Sequence, residues 1–101
     1  MPQEPLHLER ILEELDKING WEELNQDFIT KKFHFPDFND ALSFVNKIGV
    51  IAEAQGHHPK IILTYGAVRF EITTHDAGGL TQKDFDLAKL IDEVFDEIST
   101  V

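Results

Sequence analysis

The chain has 101 residues, and its nine Lys and Arg stand against nineteen Asp and Glu, a formal charge of -10. A field of that sign repels polyanions and argues against docking through nucleic-acid phosphates or onto an anionic membrane surface. The absence of cysteine excludes disulfides, a catalytic thiol and Cys-ligated zinc or iron–sulfur sites.

The length and the 42% hydrophobic content suit one domain over residues 1–101. The opening MPQEPLHLERILEELDK lacks the basic and continuously apolar regions of a signal peptide. No run approaches the roughly 18 apolar residues that cross a bilayer, so a cytoplasmic location and no membrane partner are expected.

Pro5 suits the start of a helix in which Leu8, Ile11, Leu12, Leu15 and Ile18 recur at helical spacing. Glu9, Glu13, Glu14 and Asp16 are expected on its wet face, and Asn19-Gly20 stops it. Residues 21–24 read as a short strand with Trp21 in the core, turned at Asn25-Gln26-Asp27 into a second strand over 28–35. There Ile29, Phe33 and Phe35 share one side, and Lys32 and His34 the other. Lys31 breaks the pattern, which places this strand near a sheet edge.

Asp37 follows Pro36 as a helix cap. The helix it opens carries Ala41, Phe44, Val45, Ile48 and Ala52 as one stripe, and Gln55-Gly56 closes it. Leu42, Val50 and Ile51 widen its apolar surface beyond one face, as a second buried contact or a subunit interface would require. A hairpin follows, with strands over 61–65 and 67–74 turned at Gly66. Val68, Phe70 and Ile72 alternate there with Arg69, Glu71 and Thr73. After a loop at His75–Gly79, Thr81-Gln82-Lys83-Asp84 resembles a capping box for a last helix carrying Phe85, Ala88, Leu90, Ile91, Val94, Phe95 and Ile98. The order α-β-β-α-β-β-α predicts an α+β fold, a four-stranded antiparallel sheet with three helices packed on one face.

Hairpin geometry brings the chemistry together. Because antiparallel neighbours place the start of one strand beside the end of the other, His57-His58-Pro59 and His75 meet at one sheet end, with Asp84 near enough to join. Pro59 holds His58 extended. The carbonyl end of the preceding helix favours a cation at His57, and Glu53, four residues earlier, would push the same way. A histidine biased toward the cation beside a more neutral one makes an acid/base pair near neutral pH.

Taken singly, each feature has a plainer reading. A loop histidine beside proline is a solvated connection, Asp84 caps its helix, Gly78-Gly79 is a turn, and His7 and His34 are surface residues. The convergence of three imidazoles lifts the group above those readings. Glu53, His57, His58 and His75 also offer ligand types that suit zinc or iron. Adjacent His57 and His58 in an extended segment point to opposite sides, however, so no metal is expected. Ser43 and Ser99 lie far from the histidines, which leaves no nucleophile for covalent catalysis.

Glu53-x-x-x-His57-His58-Pro59, Tyr65, Thr73-Thr74-His75-Asp76, Gly79-Leu80-Thr81 and Asp84 resemble the pterin-4a-carbinolamine dehydratase family. Gly20-Trp21 and Phe33-His34-Phe35-x-Asp37-Phe38-x-x-Ala41 extend the likeness from about Gly20 to near the C-terminus. The resemblance implies dehydration of 4a-hydroxytetrahydropterin to quinonoid dihydropterin in tetrahydrobiopterin recycling, without metal or redox cofactor. It implies His57, His58 and His75 as acid/base and ring-orienting residues, with Asp84 tuning one of them. Glu53 would support the pair, Pro59 would aim His58, and the backbone of Thr74, His75, Asp76 and Ala77 would bind the polar edge of the pterin. Gly56 offers no polar side chain to that ligand. The resemblance also implies a homodimer or homotetramer. The alternative is a non-catalytic module that binds pterin or promotes dimerisation as a transcriptional coactivator.

Overall fold

Two short apolar hairpins and three amphipathic helices can bury their apolar sides only against one another. A computed structural model describes residues 4–99; the ends of the expected domain, 1–3 and 100–101, lie outside the described residues. In chain order the elements are α1 (Leu8–Leu15), β1 (Glu22–Leu24), β2 (Phe28–His34), α2 (Phe38–Gln55), β3 (Lys60–Thr64), β4 (Ala67–Ile72), a single 3-10 turn at His75–Ala77, and α3 (Gln82–Ser99). The four strands form one antiparallel sheet in the order β1-β2-β4-β3, and the α+β order is the one expected. No helix is long and apolar enough to cross a membrane among the described residues.

Alternation decides which face is covered. Ile29 and Phe33 of β2, with Val68, Phe70 and Ile72 of β4, are fully or almost fully buried beside Ile11, Phe44, Ile48, Phe85 and Ile91 of the helices. Phe33 lies at the centre, with the rings of Phe95, Phe44 and Phe70 at 4.8, 5.2 and 5.8 Å. Losing such a ring costs about 3–5 kcal/mol. The other face carries Lys32, Arg69 and Glu71, with Arg69 donating to Thr30 Oγ1 at 3.2 Å.

Three expectations need correction. Strand β2 is interior, flanked by β1 and β4. Lys31 shares the helix-facing side with Phe33, but its long stem carries the ammonium out to Asp92 Oδ1 at 2.9 Å and the Asn19 carbonyl at 2.8 Å. The first helix ends at Leu15, and tighter i→i+3 bonds from Lys17 and Ile18 carry the chain to Gly20 at φ +86°. Glu14 is not on a wet face. It is 1% exposed, and Lys17 at 2.7 Å, Arg10 at 3.5 Å and Lys89 at 3.6 Å surround its carboxylate, to which Gln82 donates at 2.8 Å. Leu8 and Leu12 are turned outward instead. Trp21 is buried as expected, its indole N–H shared between the two oxygens of Asp92.

The segments that frame the cleft have local causes. Asp37 accepts from the Asp40 amide at 2.9 Å and opens α2. Gly56 ends it at φ +65°, where a side chain would be strained, and the His57 amide reaches the Ala52 carbonyl at 3.1 Å. The chain therefore leaves the helix sharply at His57.

Candidate active site

The end of α2, the end of β4 and the first turn of α3 enclose a polar cleft of about 270 Å³. Gly56, His57, His58, Thr73, Thr74, His75, Asp76 and Lys83 line it. His57 and His58 diverge as an extended dipeptide must. The His57 side chain is 12% exposed, and its Nε2 lies 2.6 Å from Asp84 Oδ1. The His58 side chain is 62% exposed, and its Nε2 lies 2.6 Å from Oε1 of Glu53, which is itself largely in solvent. Glu53 is thus the partner of His58, not of His57 as expected. His58, the residue before Pro59, turns its ring back over the last turn of α2.

Asp84 is fully buried under the cleft. Its Oδ2 accepts from Thr74 Oγ1 at 2.9 Å and from the Thr81 amide at 2.8 Å. Asp84 therefore both caps α3 and holds His57. Burial of a carboxylate is tolerable only when its oxygens are hydrogen-bonded, and here His57 is the partner of Oδ1.

The loop carrying His75 is closed at its base, because Thr74 and Gly79 exchange backbone hydrogen bonds at 3.3 and 3.4 Å. Inside it the Ala77 and Gly78 amides bond the Thr74 and His75 carbonyls, each at 3.0 Å. The amides of Thr74 and Ala77 are therefore spent within the loop, whereas those of His75 and Asp76 have no hydrogen-bond partner among the described residues. Gly79 is hemmed in, since a Cβ there would meet Pro5 Cβ at 3.1 Å. The His75 ring is exposed at the cleft wall and makes no side-chain hydrogen bond among the described residues.

Of the residues singled out in the sequence, His57, His58, Thr74, His75 and Asp76 share the cleft, with Asp84 beneath it. Pro59, Ala77 and Glu53 do not line it; Glu53 borders a neighbouring depression with Val50 and Ile61. Lys83 is a cleft residue that sequence reasoning passed over. A lysine in the first turn of a helix, where the macrodipole disfavours cations, was the available signal.

The model of the family described as pterin 4 alpha carbinolamine dehydratase matches residues 4–94. The chain belongs to this family. Relatives named "Putative pterin-4-alpha-carbinolamine dehydratase" include one from Sulfurisphaera tokodaii, 48% identical over 83% of this chain and 89% of that one. One from Aquifex aeolicus is 41% identical over 89% of this chain and 90% of that one. Among solved structures, a transcriptional coactivator/pterin dehydratase from Brucella melitensis superposes with a TM-score of 0.84 at 29% identity, covering 88% of this chain and 96% of that one. A pterin dehydratase-like RuBisCO assembly factor of the alpha-carboxysome shares the fold, with a TM-score of 0.64 at 17% identity over 74% of this chain and 88% of that one.

Membership makes the chain a hydro-lyase of the pterin carbinolamine dehydratase class. Such an elimination needs a proton donor and a proton acceptor facing one small ligand. In this member of the family three imidazoles stand along one cleft.

Proposed function

We propose that the protein removes water from 4a-hydroxytetrahydropterin by histidine acid/base catalysis, supporting tetrahydrobiopterin recycling. The observation that carries this reading is the histidine trio at one cleft, one ring seated on the buried carboxylate of Asp84. In the reaction the C4a–O bond breaks and the hydroxyl leaves as water after accepting a proton. A base takes the N5 proton, and the N–H electron pair forms the C4a=N5 bond of the quinonoid product. Hydroxide is a poor leaving group, so the acid is indispensable.

His57 and His75 transfer the protons. His57 is held in one orientation by Asp84, and His75 is free to approach the ligand. His58, with Glu53 behind it, positions the ring. The backbone N–H groups of His75 and Asp76 receive the polar edge of the pterin. No metal or redox cofactor enters these steps. One domain over residues 1–101 suffices for them, acting in the cytoplasm.

Assembly as a homodimer or homotetramer belongs to the same proposal. Its support is apolar surface that one chain leaves open, Val50 at 71% and Leu42 at 38% exposed on α2, with Ile62 at 37% on edge strand β3.

Three single variants test the division of labour. His57→Ala and His75→Ala are each expected to lower kcat by roughly 10²-fold or more. His58→Ala is expected to raise KM with kcat within about threefold. Turnover lost as completely in His58→Ala as in His57→Ala, with substrate affinity intact, would overturn the assignment.

A further inference from the structure

The Thr81 hydroxyl is buried beneath the cleft and has no part in the reading above. A threonine that precedes a helix ordinarily turns its hydroxyl onto the amide three residues on. Here that amide, on Asp84, is closed by the Thr81 carbonyl at 3.1 Å. The hydroxyl turns away to Thr74 Oγ1 at 2.8 Å. Both threonines are shielded, Thr81 at 3% and Thr74 at 6% exposed. A cap has been given up to make this contact.

The hydrogens in the contact can run only one way. An ionised carboxylate accepts and never donates. Thr74 must therefore donate its one hydroxyl hydrogen to Asp84 Oδ2, at 2.9 Å. Having spent that hydrogen, it can only accept from Thr81. The Thr81 amide donates to the same Oδ2 at 2.8 Å. The remaining oxygen, Oδ1, faces His57 Nε2 at 2.6 Å, and that nitrogen must carry a proton for the contact to hold. A hydroxyl that accepts a hydrogen bond becomes a stronger donor, so the Thr81 hydrogen acts on Asp84 through Thr74.

We propose that Thr81 is a positioning residue of the reaction centre. By donating to Thr74 it fixes Thr74 as a donor to Asp84 Oδ2. It thereby holds the His57 ring with its Nε2–H on Asp84 Oδ1, with Nδ1 as the nitrogen left for proton exchange. The catalytic part of this inference rests on the acid/base reading of His57; the tautomer part does not.

The test is long-range ¹⁵N–¹H correlation on histidine-labelled protein without substrate, paired with turnover. At a pH where its ring is neutral, wild-type His57 is expected as one tautomer, protonated on Nε2. Thr81→Val keeps the shape and removes the donor; it is expected to mix the two tautomers and lower kcat about tenfold with KM within about twofold. Thr81→Ser is expected to restore both. A wild-type His57 protonated on Nδ1 overturns the proposal whether or not any variant folds. So does a Thr81→Val protein with the wild-type histidine spectrum. If the spectra behave as expected in a protein that does not dehydrate the pterin, the relay stands and the acid/base function falls.

Discussion

Asp84 Oδ1 and His57 Nε2 are 2.6 Å apart, with the carboxylate fully buried and the imidazole at the edge of solvent. This pairing joins the first turn of α3 to the residue that leaves α2. Asp84→Asn removes the acceptor-only character that fixes the imidazole. Its capping oxygen survives, so folding is expected to be largely retained. A loss of kcat on the order of 10²-fold is expected, measured at saturating substrate.

The second histidine–carboxylate pair, His58 with Glu53, is equally short but stands in solvent. Exposed pairs contribute little and are screened by salt. Glu53→Gln is therefore expected to alter KM by about threefold or less at 0.15 M salt, with kcat unchanged. Steady-state kinetics at two ionic strengths checks this, and the wild-type KM should itself rise modestly with salt.

Glu14 supplies a pH dependence of stability. Its hydrogen bond with Lys17 dominates, and with Gln82 and Lys89 it outweighs burial and draws the carboxyl from 4.5 down to about 2. A depressed folded pKa means stability that is complete above about pH 4.5 and is lost as pH falls toward 2. Its worth is about 2 kcal/mol once screening around the half-exposed Arg10 and Lys17 is allowed for. Glu14→Gln is expected to unfold at lower denaturant concentration at pH 7, with the gap to wild type closing near pH 2.

Val50 tests the assembly. Its side chain is among the most exposed apolar groups of the molecule, so Val50→Asp should leave the fold of one chain intact. Light scattering at micromolar concentration is expected to show a dimer or tetramer for wild type and a smaller species for the variant. A monomeric wild type would remove the assembly from the account.

Much of this was legible in the sequence because it follows from chain geometry. Once 61–65 and 67–74 alternate about Gly66, His57-His58 and His75 must share a sheet end, and the Thr81–Asp84 spacing announces a helix start. What stayed hidden depends on side chains far apart in sequence. Glu14 sits at a position that helical spacing alone makes ambiguous, and its burial depends on Gln82 and Lys89 arriving from α3. Lys31 suggested an edge because its rescue by Asp92 lies 61 residues away. Which carboxylate serves which histidine was set by the turn at Gly56. The diversion of the Thr81 hydroxyl to Thr74 breaks the capping rule that would have been used to predict it.

A dehydration carried by histidines is read most directly from the ultraviolet change of freshly generated 4a-hydroxytetrahydropterin mixed with purified protein and EDTA. Acceleration over the spontaneous rate is expected, which EDTA does not reduce and which the His57→Ala/His75→Ala double variant lacks. Acceleration abolished by EDTA, or none at all from folded wild-type protein, would contradict it.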